Sequence, residues 1–364
     1  MNILYTNFHI DYGGGHDTYI KNLAITAQAN VYVACPASGN LYIELKQADS
    51  KVYPYLKGLY PVAFPSKLKE FKKLYESISI IKKIIKDKQI DIVHTNGSAD
   101  NRLLLYVKWF SKLKFKIVFT KHNSYPVNGV ISRWRLVHFN DAIIFVSKSI
   151  YQILGFKVQS NKITVIHNGI DINRYIHLDK NKQDSLFTFV SNAGTAHHKG
   201  WHYLFHAIKL LPLEHQNKIR VIMVGTIPPA SIISWLIKDL PSCTIEWTDF
   251  SKTPEDYLIQ GDIGFVLSNG CDTISFACRE MMACGLPVIV SNFGGLPENI
   301  DDGINGWITP VGDILAIKQL LQSILAMPGE QLQQMSFNAR QKAIQSFGMD
   351  QMIDRTIQIY RELL

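Results

Sequence analysis

Asp272 and Glu280 stand with seven residues between them in CDTISFACREMMACGLPVIV, residues 271–290, a stretch that is otherwise mostly apolar. GFVLS before them has the composition of a buried strand, NGCDTIS is the loop leaving it, and FACREMMACG is a helix running toward the next strand. Asp272 then lies in a loop at the end of a strand. The amides of Thr273, Ile274 and Ser275 lie at a helix N-terminus, which suits a phosphate. Helical side chains lean toward the N-terminus, so Glu280, one to two turns further on, reaches for a group bound beside that phosphate. Carboxylates accept well from paired hydroxyls, and a nucleotide sugar offers sugar hydroxyls, a diphosphate and vicinal ribose hydroxyls in series. The same spacing is met by an Asp272 that caps the helix and a Glu280 that pairs with Arg279 or another surface base.

Three further loops carry candidate chemistry. In DYGGGHDTYIKNL, Gly14 and Gly15 let backbone approach a ligand beside a helix N-terminus. Thr18 stands where the dinucleotide fingerprint needs its third glycine, which disfavours a plain NAD fold; a tight turn without ligand is the other reading. His16 and Asp17 are candidates for an acceptor hydroxyl, and Asp17 is equally an N-cap residue. In KIVFTKHNSYP, His122 follows an apolar strand on the edge where open α/β sheets bind ligands, as a functional contact or a satisfied structural histidine. In SNAGTAHHKGWHYLFHAI, Lys199 enters a helix. A cation there opposes the macrodipole unless an anion lies between them, so a bound phosphate accounts for it; an exposed surface lysine is the alternative. His198, His202 and His206 are spaced by four, but the acid of a zinc-protease pattern is missing, so packing and surface roles are expected and no metal.

These loops must be positioned by strands. NILYTNF, NVYVAC, IDIVHTN, FKIVFTKH, DAIIFVS and KITVIHN in the first half, then LFTFVSNAG, IRVIMVG, CTIEWTD, IGFVLSNG and PVIVSN in the second, alternate with helical stretches. The pattern predicts an α/β fold of two Rossmann-like, doubly wound domains, each a parallel sheet covered on both faces, with their binding crevices facing a central cleft. A length of 364 residues suits two such domains. The expected organisation is a domain over 1–167, a polar linker over 168–184, a second domain over 185–345 and a C-terminal helix over 346–364.

The net charge is +8, but residues 1–175 hold 24 Lys and Arg against 11 Asp and Glu, and the rest 14 against 19. Residues 66–88 place Leu68, Phe71, Leu74, Ile78, Ile81 and Ile85 at helical spacing among lysines, and 107–116 read VKWFSKLKFK. This is either a helix with its apolar face in the core or a basic amphipathic surface for anionic lipid, and the charge asymmetry favours peripheral membrane contact. Without an accompanying reading motif, nucleic acid is not expected as a partner. MNILYTNFHIDYGGG reads as a first strand rather than a signal peptide, and no segment has the ~20 apolar residues of a membrane span. The expected location is cytoplasmic, with peripheral contact on the inner face of the cytoplasmic membrane. The five cysteines form no Cys-x-x-Cys pair and are expected as reduced, mostly buried thiols.

The chain resembles the retaining GT-B glycosyltransferases of family 4 over nearly its whole length. The likeness is carried by YGGGHDTYIKNLA, FTKHN, VIHNGIDINRY, HHKGWHYLF and, most specifically, REMMACGLPVIVSNFGGLPENIDDGINGWITP, in the family's order. FGMDQMIDRTIQIYRELL is similar to the C-terminal helix that returns to the first domain in that family. The resemblance implies a GT-B fold and transfer of a sugar from a nucleotide-diphosphate sugar to a lipid-linked or oligosaccharide acceptor, as in lipopolysaccharide synthesis. It implies no cofactor and no catalytic metal. It makes Glu280 the ribose ligand, Lys199 the diphosphate ligand and His122 the histidine that touches the transferred sugar, with Gly14 and Gly15 near the diphosphate and acceptor.

Two positions depart from the family. Asp272 replaces a glutamate, one methylene longer, that contacts the donor sugar. An arginine that commonly precedes the lysine is absent, leaving Asn192, His197 or His198 to help hold the diphosphate. The implied mechanism is front-face attack in which the leaving diphosphate takes the acceptor proton, and Lys199 with the amides of Thr273, Ile274 and Ser275 stabilises that leaving group. Two alternatives stay open: a catalytically impaired nucleotide-sugar binder, and a nucleotide-sugar epimerase of the same fold, which would convert the donor without an acceptor.

Overall fold

The computed structural model describes residues 1–9, 14–26, 29–54, 67–156, 160–175, 186–238, 240, 242–249, 251–270 and 272–364. Gly13, Ser66, Cys271 and the stretch 176–184 of the expected linker lie outside them. The chain divides into two compact units, one made of Met1–Asn168 with Asp350–Leu364, the other of Gly169–Met349.

Unit 1 is built on a parallel sheet of β1 (Asn2–Thr6), β2 (Asn30–Cys35), β3 (Val52–Pro54), β4 (Ile92–Thr95), β5 (Lys116–Lys121), β6 (Ala142–Phe145) and β7 (Ile163–Val165). Their order is β3-β2-β1-β4-β5-β6-β7. Unit 2 holds β8 (Phe187–Ser191), β9 (Ile219–Val224), β10 (Thr244–Thr248), β11 (Ile263–Val266), β12 (Val288–Ser291) and β13 (Gly306–Thr309), in the order β10-β9-β8-β11-β12-β13. In both sheets the chain winds outward from the first strand, then crosses to its other side. The order therefore reverses between β1 and β4 and between β8 and β11, and the loops leaving those strands open the crevices where doubly wound sheets bind ligands.

Each apolar run named above forms a strand, because β-branched residues in short runs pack on both faces of a parallel sheet. Two edge strands were not expected, β3 and β13. VYP ends in a proline, which removes a ladder donor and is tolerated at an edge, and GWIT sits between turn residues.

The cores are apolar contacts of sheet with helix. In unit 1, Leu4, Val93 and Ile117 pack with Ile78, Ile81, Ile84 and Ile85 of the helix Leu68–Asp87. In unit 2, Phe189, Val221 and Phe265 pack with Leu204, Phe205 and Ile208 of the helix Trp201–Lys209. Burying each such side chain fully contributes roughly 1.5–3 kcal/mol. The expected stripe on Leu68–Asp87 is thus split. Its C-terminal half is core, whereas Leu68 and Phe71 are exposed. The helix Met349–Leu363 joins unit 1, where the Tyr360 hydroxyl bonds to His94 Nδ1 and to the Tyr5 hydroxyl, and Arg355 donates to the Val165 carbonyl at 2.8 Å. Cys35, Cys243, Cys278 and Cys284 are not joined in disulfides.

Candidate active site

In unit 2 the loops after β8 and β11 meet. Gly200 has φ +68°, and a Cβ there would lie 1.9 Å from the Leu267 carbonyl oxygen, so only glycine lets the β8 loop pass this close to the end of β11. That approach brings Lys199 to Asp272. Lys199 Nζ donates to Asp272 Oδ1 at 2.8 Å, and the Ser268 hydroxyl donates to Oδ2. The anion facing the lysine is therefore a carboxylate of the chain itself. Asp272 does not cap the helix Phe276–Ala283; Ser275 does, its Oγ accepting from Cys278 N at 3.3 Å. Thr273, Ile274 and Ser275 immediately precede that helix, whose first amides have no intrahelical acceptor.

Glu280 does not pair with Arg279. Adjacent helical positions face different directions, and Arg279 points into the core, fully buried, donating to Asn299 Oδ1 at 2.8 Å and lying 4.3 Å from the centre of the Phe347 ring. Glu280 instead accepts from Asn192 Nδ2 at 2.6 Å and from the buried Tyr175 hydroxyl. Burial raises its pKa, while the bonds from Tyr175 and Asn192 oppose that rise. Asn192 thus turns to Glu280, and its Oδ1 is buried with no hydrogen-bond partner among the described residues. His197 and His198 are exposed, His197 stacking on His202 with ring centres 4.3 Å apart. Among the described residues no group of histidine, cysteine and acid is arranged to hold a metal.

In unit 1, Gly14 has φ +55° and open space where a Cβ would stand, and the helix Gly15–Thr26 begins beside it. His122 is buried after β5, its Nε2 3.1 Å from Asn96 Oδ1, with its ring 4.4 Å from that of His16. Asp17 is buried and accepts from Asn7 Nδ2 at 2.6 Å. His16 Nδ1 is buried without a hydrogen-bond partner among the described residues. The chemical groups of unit 1 therefore gather at the ends of β1, β4 and β5, those of unit 2 at the ends of β8 and β11.

Burial lowers the pKa of His94 to about 3, of His16 to about 4, and of His122 well below its ordinary value. The three are neutral when folded near neutral pH. A folded pKa below the unfolded one means that the unfolded chain takes up protons first, so this contribution to stability is complete above pH ~6.5 and is lost as pH falls toward 4. Urea titrations between pH 7.5 and 4.5 should show the unfolding midpoint of unit 1 dropping over that window. A midpoint constant down to pH 4.5 would contradict the buried neutral state.

The sequence reading did not name Tyr175, Ser268, Asn96 and Asn7. Asn7 and Asn96 each follow the last residue of a strand at the reversal point, which is a positional signal. Tyr175 and Ser268 gave none, because their roles arise from contacts 105 and 4 positions away that depend on the fold.

Two doubly wound units whose loops gather at the reversal points of their sheets set the fold class, and sequence families agree. Residues 13–174 match the model of Glycosyltransferase Family 4, and residues 176–342 match that of Glycosyl transferases group 1. The chain belongs to this family of GT-B glycosyltransferases and is a glycosyltransferase. It is similar to an uncharacterised 41.2 kDa protein of the cps region of Klebsiella pneumoniae, 22% identical over 96% of each chain. It is also similar to an O-antigen biosynthesis glycosyltransferase of Escherichia coli, 26% identical over 59% of this chain and 64% of the relative. Among solved structures, the Anabaena protein HepE in complex with UDP has the same fold, with a TM-score of 0.82 at 17% identity over 100% of both chains.

Proposed function

We propose that this glycosyltransferase moves a sugar, with retention at the anomeric carbon, from a nucleotide-diphosphate sugar to a hydroxyl of a surface-glycan acceptor of the lipopolysaccharide type. The observation that carries the reading is the convergence of Lys199, the N-terminus of the helix Phe276–Ala283 and Glu280 at the reversal point of the unit 2 sheet. Unit 2 binds the donor: Lys199 and the amides of Thr273, Ile274 and Ser275 hold the diphosphate, and Glu280 accepts from the ribose hydroxyls. Unit 1 serves the acceptor through Gly14, Gly15, His16 and Asp17. His122, neutral and hydrogen-bonded to Asn96, suits a sugar hydroxyl. The relative named for O-antigen synthesis and the HepE complex with UDP support an acceptor of surface glycan and a uridine nucleotide as the first donor to try.

In the reaction, the acceptor oxygen forms its bond to the anomeric carbon on the face from which the diphosphate departs. The anomeric C–O bond breaks toward the diphosphate, whose oxygen takes the acceptor proton. Asp272 is engaged by Lys199 and Ser268 on its two oxygens, which disfavours it as a double-displacement nucleophile. Stabilising the departing charge in a preorganised site is then the main catalytic task.

The acceptor is reached at an anionic membrane surface. Leu68, Phe71 and Tyr75 are exposed on the first turns of Leu68–Asp87 among Lys67, Lys69, Lys72 and Lys73, and Trp109 and Phe110 are exposed at the end of the helix Ser98–Trp109. No helix among the described residues is long and apolar enough to cross a membrane. Apolar anchors with lysines between them suit the headgroup boundary.

A panel of labelled nucleotide sugars with membrane extract tests the proposal. Transfer giving an α-linked product from an α-linked donor supports it. Conversion of the donor without acceptor would make the protein an epimerase, and binding without conversion of any donor would make it a binder.

A further inference from the structure

Asp272 and Lys199 form an ion pair where the donor reading needs a free cation. The pair is largely buried, the side chains being 23% exposed for Lys199 and 7% for Asp272. The geometry around it is fixed from several sides. Ser268 donates to Asp272, the Ser291 hydroxyl donates to the Ser268 carbonyl at 2.6 Å, and Gly294, at φ +57°, packs so closely that a Cβ would stand 2.1 Å from the Asp272 carbonyl oxygen. A side chain one methylene longer would carry the carboxylate about 1.5 Å further from this backbone, away from Ser268.

A lysine ammonium has three donors and no acceptor, so it can serve the carboxylate and a phosphate at once, but the two anions repel. We propose that Asp272 is an internal counter-anion for Lys199. It holds the ammonium in position before the donor arrives and weakens the hold on the diphosphate that is left after transfer, easing its departure. Asp272 is then a positioning residue acting through Lys199 rather than a sugar ligand. The inference rests on Lys199 being the diphosphate ligand.

Inorganic pyrophosphate, which carries no base or sugar, isolates that contact. Calorimetric titration of the full-length protein should give roughly tenfold tighter pyrophosphate binding for Asp272→Asn than for wild type. The gain should vanish in the Lys199→Met background. Binding by Asp272→Asn that is equal to or weaker than wild type would overturn the inference, as would the same gain surviving in Lys199→Met/Asp272→Asn, which would assign it to the general field of the site. Wild-type pyrophosphate affinity in Lys199→Met alone would instead overturn the diphosphate reading itself, and the inference with it. Asp272→Ser carries the same expectation should the asparagine variant lose its native circular dichroism.

Discussion

Replacing Lys199 by alanine lowers kcat for sugar transfer by about 10²–10³-fold, the scale of removing one preorganised donor from a developing negative charge. The lysine bonds to Asp272, just before the N-terminus of the helix Phe276–Ala283, and under the proposed function it would act without the arginine that the family resemblance leads one to expect. Asn192, one of the residues left to stand in for it, spends its amide on Glu280. The stretch SNAGTAHHK supplies no arginine beside the lysine, so the loss should be large. Steady-state rates with a labelled nucleotide sugar, wild type against Lys199→Ala, provide the check. A variant within threefold of wild type would remove Lys199 from the leaving-group role.

Replacing Glu280 by alanine should weaken donor binding by about 1–3 kcal/mol, the scale of leaving buried hydrogen-bonding groups unpaired. Two effects add. Under the proposed function the ribose hydroxyls would lose their acceptor, and the Tyr175 hydroxyl and Asn192 amide lose the carboxylate they bond to. The ribose part can be isolated by titrating 2′-deoxy and 3′-deoxy nucleotides. Wild type should discriminate against at least one of them, and Glu280→Ala should not. Unchanged donor affinity in the variant, or unchanged discrimination, would sink the ribose assignment.

The sheets were legible because each interior strand is buried on both faces, which writes a short apolar run into the sequence. Of the four edge strands, KITVIHN and CTIEWTD were legible, whereas the short VYP and GWIT left a weaker mark. In Leu68–Asp87 the spacing displayed one apolar stripe but not where its cover ends; Ile78 to Ile85 have a sheet beneath them and Leu68 and Phe71 do not. Within the candidate site, Tyr175, Ser268, Asn96 and Asn7 went unnamed, whereas Lys199, Asp272, Asn192 and Glu280 were singled out by loop position and residue type. Their pairings were not. Lys199 and Asp272 are 73 positions apart, and Glu280 and Asn192 are 88 apart, so only the return of β11 beside β8 brings them together. Arg279 shows the opposite error, a neighbour in sequence that helical geometry turns into the core. Asp272 was marked as a departure from the family, and its partners Ser268 and Lys199 became visible only in the fold.

The proposed activity is transfer of a sugar from a nucleotide diphosphate bound in the unit 2 crevice. Its most direct test is transfer of labelled sugar from a uridine-diphosphate donor panel to lipid-extracted acceptor, run in parallel for wild type, Lys199→Ala and Glu280→Ala. Wild type should transfer sugar from one donor, with the lysine variant failing mainly in kcat and the glutamate variant mainly in donor KM. Transfer by wild type that both variants reproduce with unchanged kcat and KM would contradict it.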